Sequence, residues 1–113
     1  MAENLRQFDS RIVEIGGRRG FDAFSNTVLD ESLAGRGVVD VVITGALTCL
    51  CVDSTARSAH ERGCRVTVLS DCTMGRARSE QRLFCERIFP LYAEVSTSDQ
   101  VADGLLVASR ASP

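Results

Sequence analysis

The run Val38-Val39-Asp40-Val41-Val42-Ile43, passing through Thr44 into Gly45-Ala46, constrains the fold more than any other stretch of this chain. Its β-branched apolar residues predict a strand buried on both faces, the kind found in parallel sheets covered by helices. The Gly-Ala turn ends the strand, and Val52, Ala56 and Ala59 then follow helical spacing. Two cysteines, Cys49 and Cys51, fall at this junction. A thiol there would sit among the unpaired amides and positive dipole end of a helix N-terminus, which favour the thiolate. A thiolate is a nucleophile, whereas a buried thiol is only a small apolar group. Cys51 is the candidate nucleophile, with a packing cysteine as the plainer alternative.

The rest of the chain alternates in the same way. Arg11 to Ile15 reads as a short strand ended by Gly16-Gly17. Thr27 to Gly35 reads as a helix capped by Ser25, Asn26 or Thr27, with Val28, Leu29 and Leu33 on one face. The run itself gives a strand from Val38 to Thr44, and a helix from Val52 to Arg62 stops at Gly63. Arg65 to Ser70 is a further strand. Ser79 to Phe89 is a helix with Leu83, Phe84 and Ile88 at core spacing, ended by Pro90. Ala93 to Ser96 is a last strand, Ser98-Asp99 opens a helix through Leu106, and Ser109 to Pro113 is expected to fray. The pattern predicts a single α/β domain over residues 1–113. Its open, mainly parallel sheet would have about four strands, with helices on both faces. Sites in such sheets form at the carboxyl ends of strands, where Gly16-Gly17, Gly45 to Cys51 and Asp71-Cys72 fall.

Composition removes several function classes. A net charge of −2 without a basic block favours neither nucleic acid nor a membrane surface as partner. No apolar run approaches the roughly 20 residues that span a bilayer. The start, Met-Ala-Glu-Asn-Leu-Arg, is not that of a secretory signal, so a cytoplasmic protein is expected. All 13 basic residues are arginine, which cannot act as a proton donor or acceptor near neutral pH. The five cysteines are odd in number and lack paired Cys-x-x-Cys ligands. Neither a disulfide framework nor structural zinc is expected, and no cofactor is implied.

Other residues near the junction carry weaker signals. The amides of Leu47 and Cys51 converge if the turn is tight, forming an oxyanion hole. Cys49 is a neighbour of the nucleophile, or a thiol able to resolve its oxidised form. Thr48 and Asp53 read as local turn or helix-start hydrogen bonders. Arg18 and Arg19 follow the Gly16-Gly17 pair, as counter-charges to the thiolate or as solvated turn residues. His60 reads as a surface histidine, and Asp71 as an acceptor for loop amides. Cys51 to Ser58 also fits Cys-x5-Arg-Ser, the phosphate loop of tyrosine phosphatases. Here the intervening residues contain no glycine, Asp53 would oppose an anion, and helical spacing puts Arg57 on a helix surface.

Spaced motifs from Ile12 to Leu106 resemble the isochorismatase-like cysteine hydrolases. That superfamily includes isochorismatase, nicotinamidase, N-carbamoylsarcosine amidase and ureidoacrylate amidohydrolase. The matching stretches are Asp22 to Thr27, Val41 to Gly45, Thr48-x-x-Cys51-Val52 with Thr55, Ala56 and Ala59, Gly63 to Val66 leading to Ser70-Asp71, and Ala93 to Asp99. The resemblance implies Cys51 as nucleophile, a cis peptide between Ala46 and Leu47, and an oxyanion hole from the Leu47 and Cys51 amides. It places Arg18 where the family has its catalytic lysine. The family's aspartate lies on its first strand, and Asp9 is outside any strand pattern that could match it. The family sheet runs in the order 3-2-1-4-5-6, and this chain corresponds to the C-terminal two-thirds of that fold without the first strands. The implied activity is thiolate attack on a small-molecule amide, ester or vinyl ether, weak or dependent on a partner. The alternative is a non-catalytic oligomerisation or interaction remnant. Either way a homo-oligomer, or a partner chain supplying the missing strands, is expected.

Overall fold

The computed structural model describes residues 11–16 and 20–111, the last four of these by backbone alone. In chain order its elements are α1 (Leu29–Gly35), β1 (Asp40–Ala46), a π-helical turn (Thr48–Val52) running into α2 (Asp53–Glu61), and β2 (Arg65–Met74). Next come α3 (Arg78–Leu83), which continues through a π turn (Phe84–Ile88) and a 3-10 turn (Phe89–Leu91), then β3 (Glu94–Ser96) and α4 (Ser98–Ala111). The sheet is three-stranded and parallel, in the order β1-β2-β3. This is the open α/β sheet that the alternation predicts.

The core lies between α2 and one face of β2. Val52, Ala56 and Ala59 recur at helical spacing and are buried, and they meet the buried Val66 and Val68 of β2. Alanine at the contact brings helix and sheet close together, since any larger side chain would hold them apart. Phe24 and Phe89 complete this buried cluster. Phe89 is fully buried, with the rings of Phe84 and Tyr92 edge-on to it at 5.7 and 6.3 Å. Gly63 ends α2 as expected, at φ +89°. The Cys64 amide donates to the Ala59 carbonyl (3.1 Å) and the Gly63 amide to His60 (3.0 Å), the pair of bonds that satisfies a helix's last carbonyls. Gly37, at φ +67°, ends α1 with the same pair of bonds to Leu33 and Ala34.

Three expectations need correction. Arg11–Ile15 is not a strand of the described sheet, and Val13 is exposed. Val38–Thr44 is not buried on both faces. The strand begins at Asp40 and forms the sheet's edge, so Val41 and Ile43 pack on the core while Val39 and Val42 face outward. Its apolar pattern is that of an interior strand, but no described strand lies on its far side. In the helix after β2, Leu83 is exposed, and the inward face is Gln81, Phe84, Cys85 and Ile88.

β2 is longer than expected because it bulges. Ile43 pairs with Val68, but Gly45 pairs with Thr73, leaving residues 69–72 looped out of the β1 ladder. The Thr73 hydroxyl donates back to the Leu69 carbonyl (3.0 Å) across the bulge. Asp71, within it, accepts from the amide and hydroxyl of Ser98 (2.9 and 2.6 Å), capping α4 and holding its own carboxyl below the usual range. This is the loop-amide role expected of Asp71. No described helix is long and apolar enough to cross a membrane.

Candidate active site

At the carboxyl end of β1 the chain reverses within a few residues. Gly45 adopts φ +120°, a region that side-chain-bearing residues avoid, and the following Ala46–Leu47 peptide bond is cis. The Leu47 carbonyl then accepts from the amides of both Leu50 and Val52, each at 3.1 Å. The second of these bonds, five residues long, makes the turn π-helical. Cys51 lies between the two donors and is half-buried. It opens onto a cleft of about 370 Å³ formed with Ala23, Thr44, Gly45, Ala46 and Thr55. A larger groove of about 690 Å³ lies between His60, Arg65 and Tyr92, at the amino ends of β2 and β3 and so at the opposite end of the sheet. In open parallel sheets the carboxyl end is the one that binds ligands.

The far wall of the cleft is the loop before α1, fastened by Thr55. The buried Thr55 hydroxyl accepts from the Ala23 amide (2.9 Å) and donates to the Phe21 carbonyl (3.4 Å). Asp22 stiffens the same loop by accepting from the Phe24 amide (2.9 Å). Arg18 and Arg19, which precede this loop, lie outside the described residues, as does Asp9.

Cys49 and Cys51 point to different neighbours. The Cys49 thiol donates to Glu80 Oε1 on α3 at 2.8 Å, and Glu80 is held by Arg76 at 2.8 Å. The bond to this carboxylate pushes the Cys49 thiol up and keeps it protonated. Arg76 above all, with Cys49 second, brings the Glu80 carboxyl down to about 2. No disulfide joins any of the five cysteines.

Asp53 stands at the start of α2, but its carboxylate bonds side chains there rather than the helix amides expected of it. It takes two bonds from the Arg57 Nε (3.0 and 2.9 Å) and one from the Tyr92 hydroxyl (2.9 Å). Burial, with the Asp53 carboxylate second, pushes the Tyr92 phenol up. The phosphate-loop reading fails on the same contacts. Residues 48–61 are one helical run, and Arg57 is engaged with Asp53 and stacked 5.5 Å over the Tyr92 ring. A phosphate cradle needs a loop whose amides after the cysteine turn inward, and here those of Val52 and Asp53 already bond within the helix, to Leu47 and to Thr48 and Leu50. His60 is exposed, its ring 5.8 Å from Tyr92, in keeping with a surface histidine. Among the described residues no three His, Cys, Asp or Glu are grouped to hold a metal ion.

Thr48 departs from the local role expected of it. It is fully buried, and its hydroxyl donates to the side chain of Gln81, 33 residues away. Gln81 carried no signal as a functional residue. What marks it is a polar side chain on the inward face of α3, in step with Phe84 and Ile88.

Residues 2–100 match the isochorismatase domain. The chain belongs to the isochorismatase family. It is 35% identical over 96 residues to a ureidoacrylate amidohydrolase of Methylobacterium radiotolerans, covering 84% of this chain and 37% of that protein. Among solved structures it is similar to an isochorismatase family protein from Burkholderia thailandensis, with TM-score 0.77 and 36% identity over 78% of this chain and 46% of the other. It is also similar to a cysteine hydrolase from Pseudomonas syringae, with TM-score 0.77 and 26% identity over 80% of this chain and 48% of the other. The chain thus spans less than half the length of these relatives. The three-stranded sheet is a partial form of the family's α/β fold.

Proposed function

We propose that this chain is a cysteine hydrolase acting on a small-molecule amide, ester or vinyl ether, with Cys51 as its nucleophile. The observation that carries the reading is the Cys51 turn itself: a half-buried thiol, on a helical turn closed by the Leu47 carbonyl, facing a cleft at the carboxyl end of the sheet. The named activities of the relatives, an amidohydrolase and a cysteine hydrolase, favour an amide substrate attacked by a thiolate. In that reaction the Cys51 sulfur adds to the carbonyl carbon and the oxyanion is met by the amides of Leu47 and Cys51. Collapse breaks the carbon–nitrogen bond, the amine leaves with the proton the Cys51 thiol has given up, and water hydrolyses the thioester to the acid and the free thiol. Arg18, at the position where the family resemblance puts a lysine, brings a fixed positive charge, but a guanidinium is a poor proton donor. We place the reaction in the cytoplasm, in an assembly in which a second copy or a partner chain lies along the outer edge of β1. A non-catalytic interaction module is the second reading, favoured by that open edge and by the apolar side chains beside it.

An activated acetyl ester distinguishes the two. The hydrolase reading expects acetylation to appear first on Cys51 in peptide mass spectra, to decay with turnover, and to vanish in Cys51→Ala. Equal labelling of Cys51, Cys64 and Cys72, with ester consumption unchanged in Cys51→Ala, would remove Cys51 as nucleophile and leave the interaction module.

A further inference from the structure

Gln81 lies outside the cleft, yet its side chain joins the two segments that form the carboxyl end of the sheet. Its Oε1 accepts from the buried Thr48 hydroxyl, at the first residue of the Cys51 turn. Its Nε2 donates to Thr73 Oγ1 (2.9 Å) and to the Ser70 carbonyl (3.2 Å), the one just after the bulge of β2 and the other within it. We propose that Gln81 is a positioning residue for Cys51, clamping the start of its turn to the bulge of β2. The proposal rests on the reading of Cys51 as nucleophile.

The chemistry of the clamp specifies an amide. Thr48 needs an acceptor and the Ser70 carbonyl needs a donor, and one side chain must supply both from neighbouring atoms. Leucine would fill the space and leave the Thr48 hydroxyl buried without its partner. Glutamate would still receive Thr48 but would turn an anionic oxygen toward the Ser70 carbonyl. Cys51 follows Thr48 by three residues within one turn, so an unfastened Thr48 lets the turn start elsewhere and re-aims the thiol. The cleft residues of β1 and the Thr55 tether stay as they are.

The test is site-resolved alkylation by iodoacetamide at one pH, alongside thermal melts, in wild type, Gln81→Leu, Thr48→Val and Thr48→Ser. Cys64, at the other end of the sheet, is the internal reference. Gln81→Leu and Thr48→Val are each expected to slow Cys51 at least about tenfold, as misplacement of a reacting group does, without changing Cys64. Thr48→Ser keeps the donor and should restore the wild-type rate, which a generally loosened fold would not allow. In the double variant Gln81→Leu/Thr48→Val the loss should not exceed that of the slower single, because both remove one bond. If Gln81→Leu fails to fold, the contrast between Thr48→Val and Thr48→Ser decides alone. Cys51 reacting at the wild-type rate or faster in Thr48→Val overturns the positioning role. A wild-type Cys51 no faster than Cys64 instead overturns the nucleophile reading, and the role of Gln81 falls with it.

Discussion

Two thiols two residues apart have different surroundings. Cys51 faces a cleft, whereas Cys49 is tied to a carboxylate that is itself tied to Arg76. The raised Cys49 thiol follows from that neighbour, so removing the negative charge should release it. Glu80→Gln is expected to increase alkylation of Cys49 at pH 8 and leave Cys51 unchanged, read by peptide mass spectrometry. An unaltered Cys49 rate would mean that the carboxylate does not hold the thiol. The Glu80 carboxyl lies below its ordinary 4.5, at about 2, so its ties to Arg76 and Cys49 are complete above pH 4.5 and are lost as pH falls through about 2. At neutral pH they do not titrate. The pairing of Cys49 with Glu80 was not legible in the sequence, since the two are 31 residues apart and meet only because α3 packs beside the turn.

At the scale of elements, the helix stop at Gly63 is where sequence and structure agree most fully. An added Cβ there meets no atom within 4 Å, so Gly63→Ala isolates the backbone cost of φ +89°. It should destabilise the fold by about 1 kcal/mol, which lowers the melting temperature by about 4 °C in a domain of this size. An unchanged melt would show that the end of α2 relaxes without cost. Helix α2 was legible because Val52, Ala56 and Ala59 repeat over two turns and a glycine ends them. The inward face of α3 was not, because Gln81 stands where the pattern offers an apolar residue and Leu83 misdirects it. Periodicity counts greasy positions, and a buried amide that satisfies a hydroxyl and a carbonyl is invisible to it. The same holds for β1. Its valines read as two-sided burial, which is a statement about neighbours, and one neighbour is not among the described strands.

For the whole molecule, the outer edge of β1 sets the strongest expectation. The Val39 carbonyl accepts from the Arg65 amide at 2.8 Å, so residue 39 directs its backbone groups toward β2. Alternation along a strand then sends those of Asp40 and Val42 the other way. That edge carries donors and acceptors, with the Val39 and Val42 side chains exposed at 59% and 48% beside it. A strand edge of this kind pairs with another chain when one is present. The protein is therefore expected to associate at micromolar concentration, as a homo-oligomer or with a partner that supplies a strand. Val42→Pro removes one outward donor and adds none, and proline is tolerated on an edge strand where its nitrogen faces away from the ladder. Light scattering should find the wild type above 12.2 kDa and Val42→Pro closer to that mass, with β1 still paired to β2 and the melt lowered only slightly. Association that survives Val42→Pro would place the interface elsewhere, on α4 with its exposed Leu105, Leu106 and Val107. A wild type that is monomeric and melts cooperatively would show that a three-stranded sheet with an uncovered edge is sufficient for this chain.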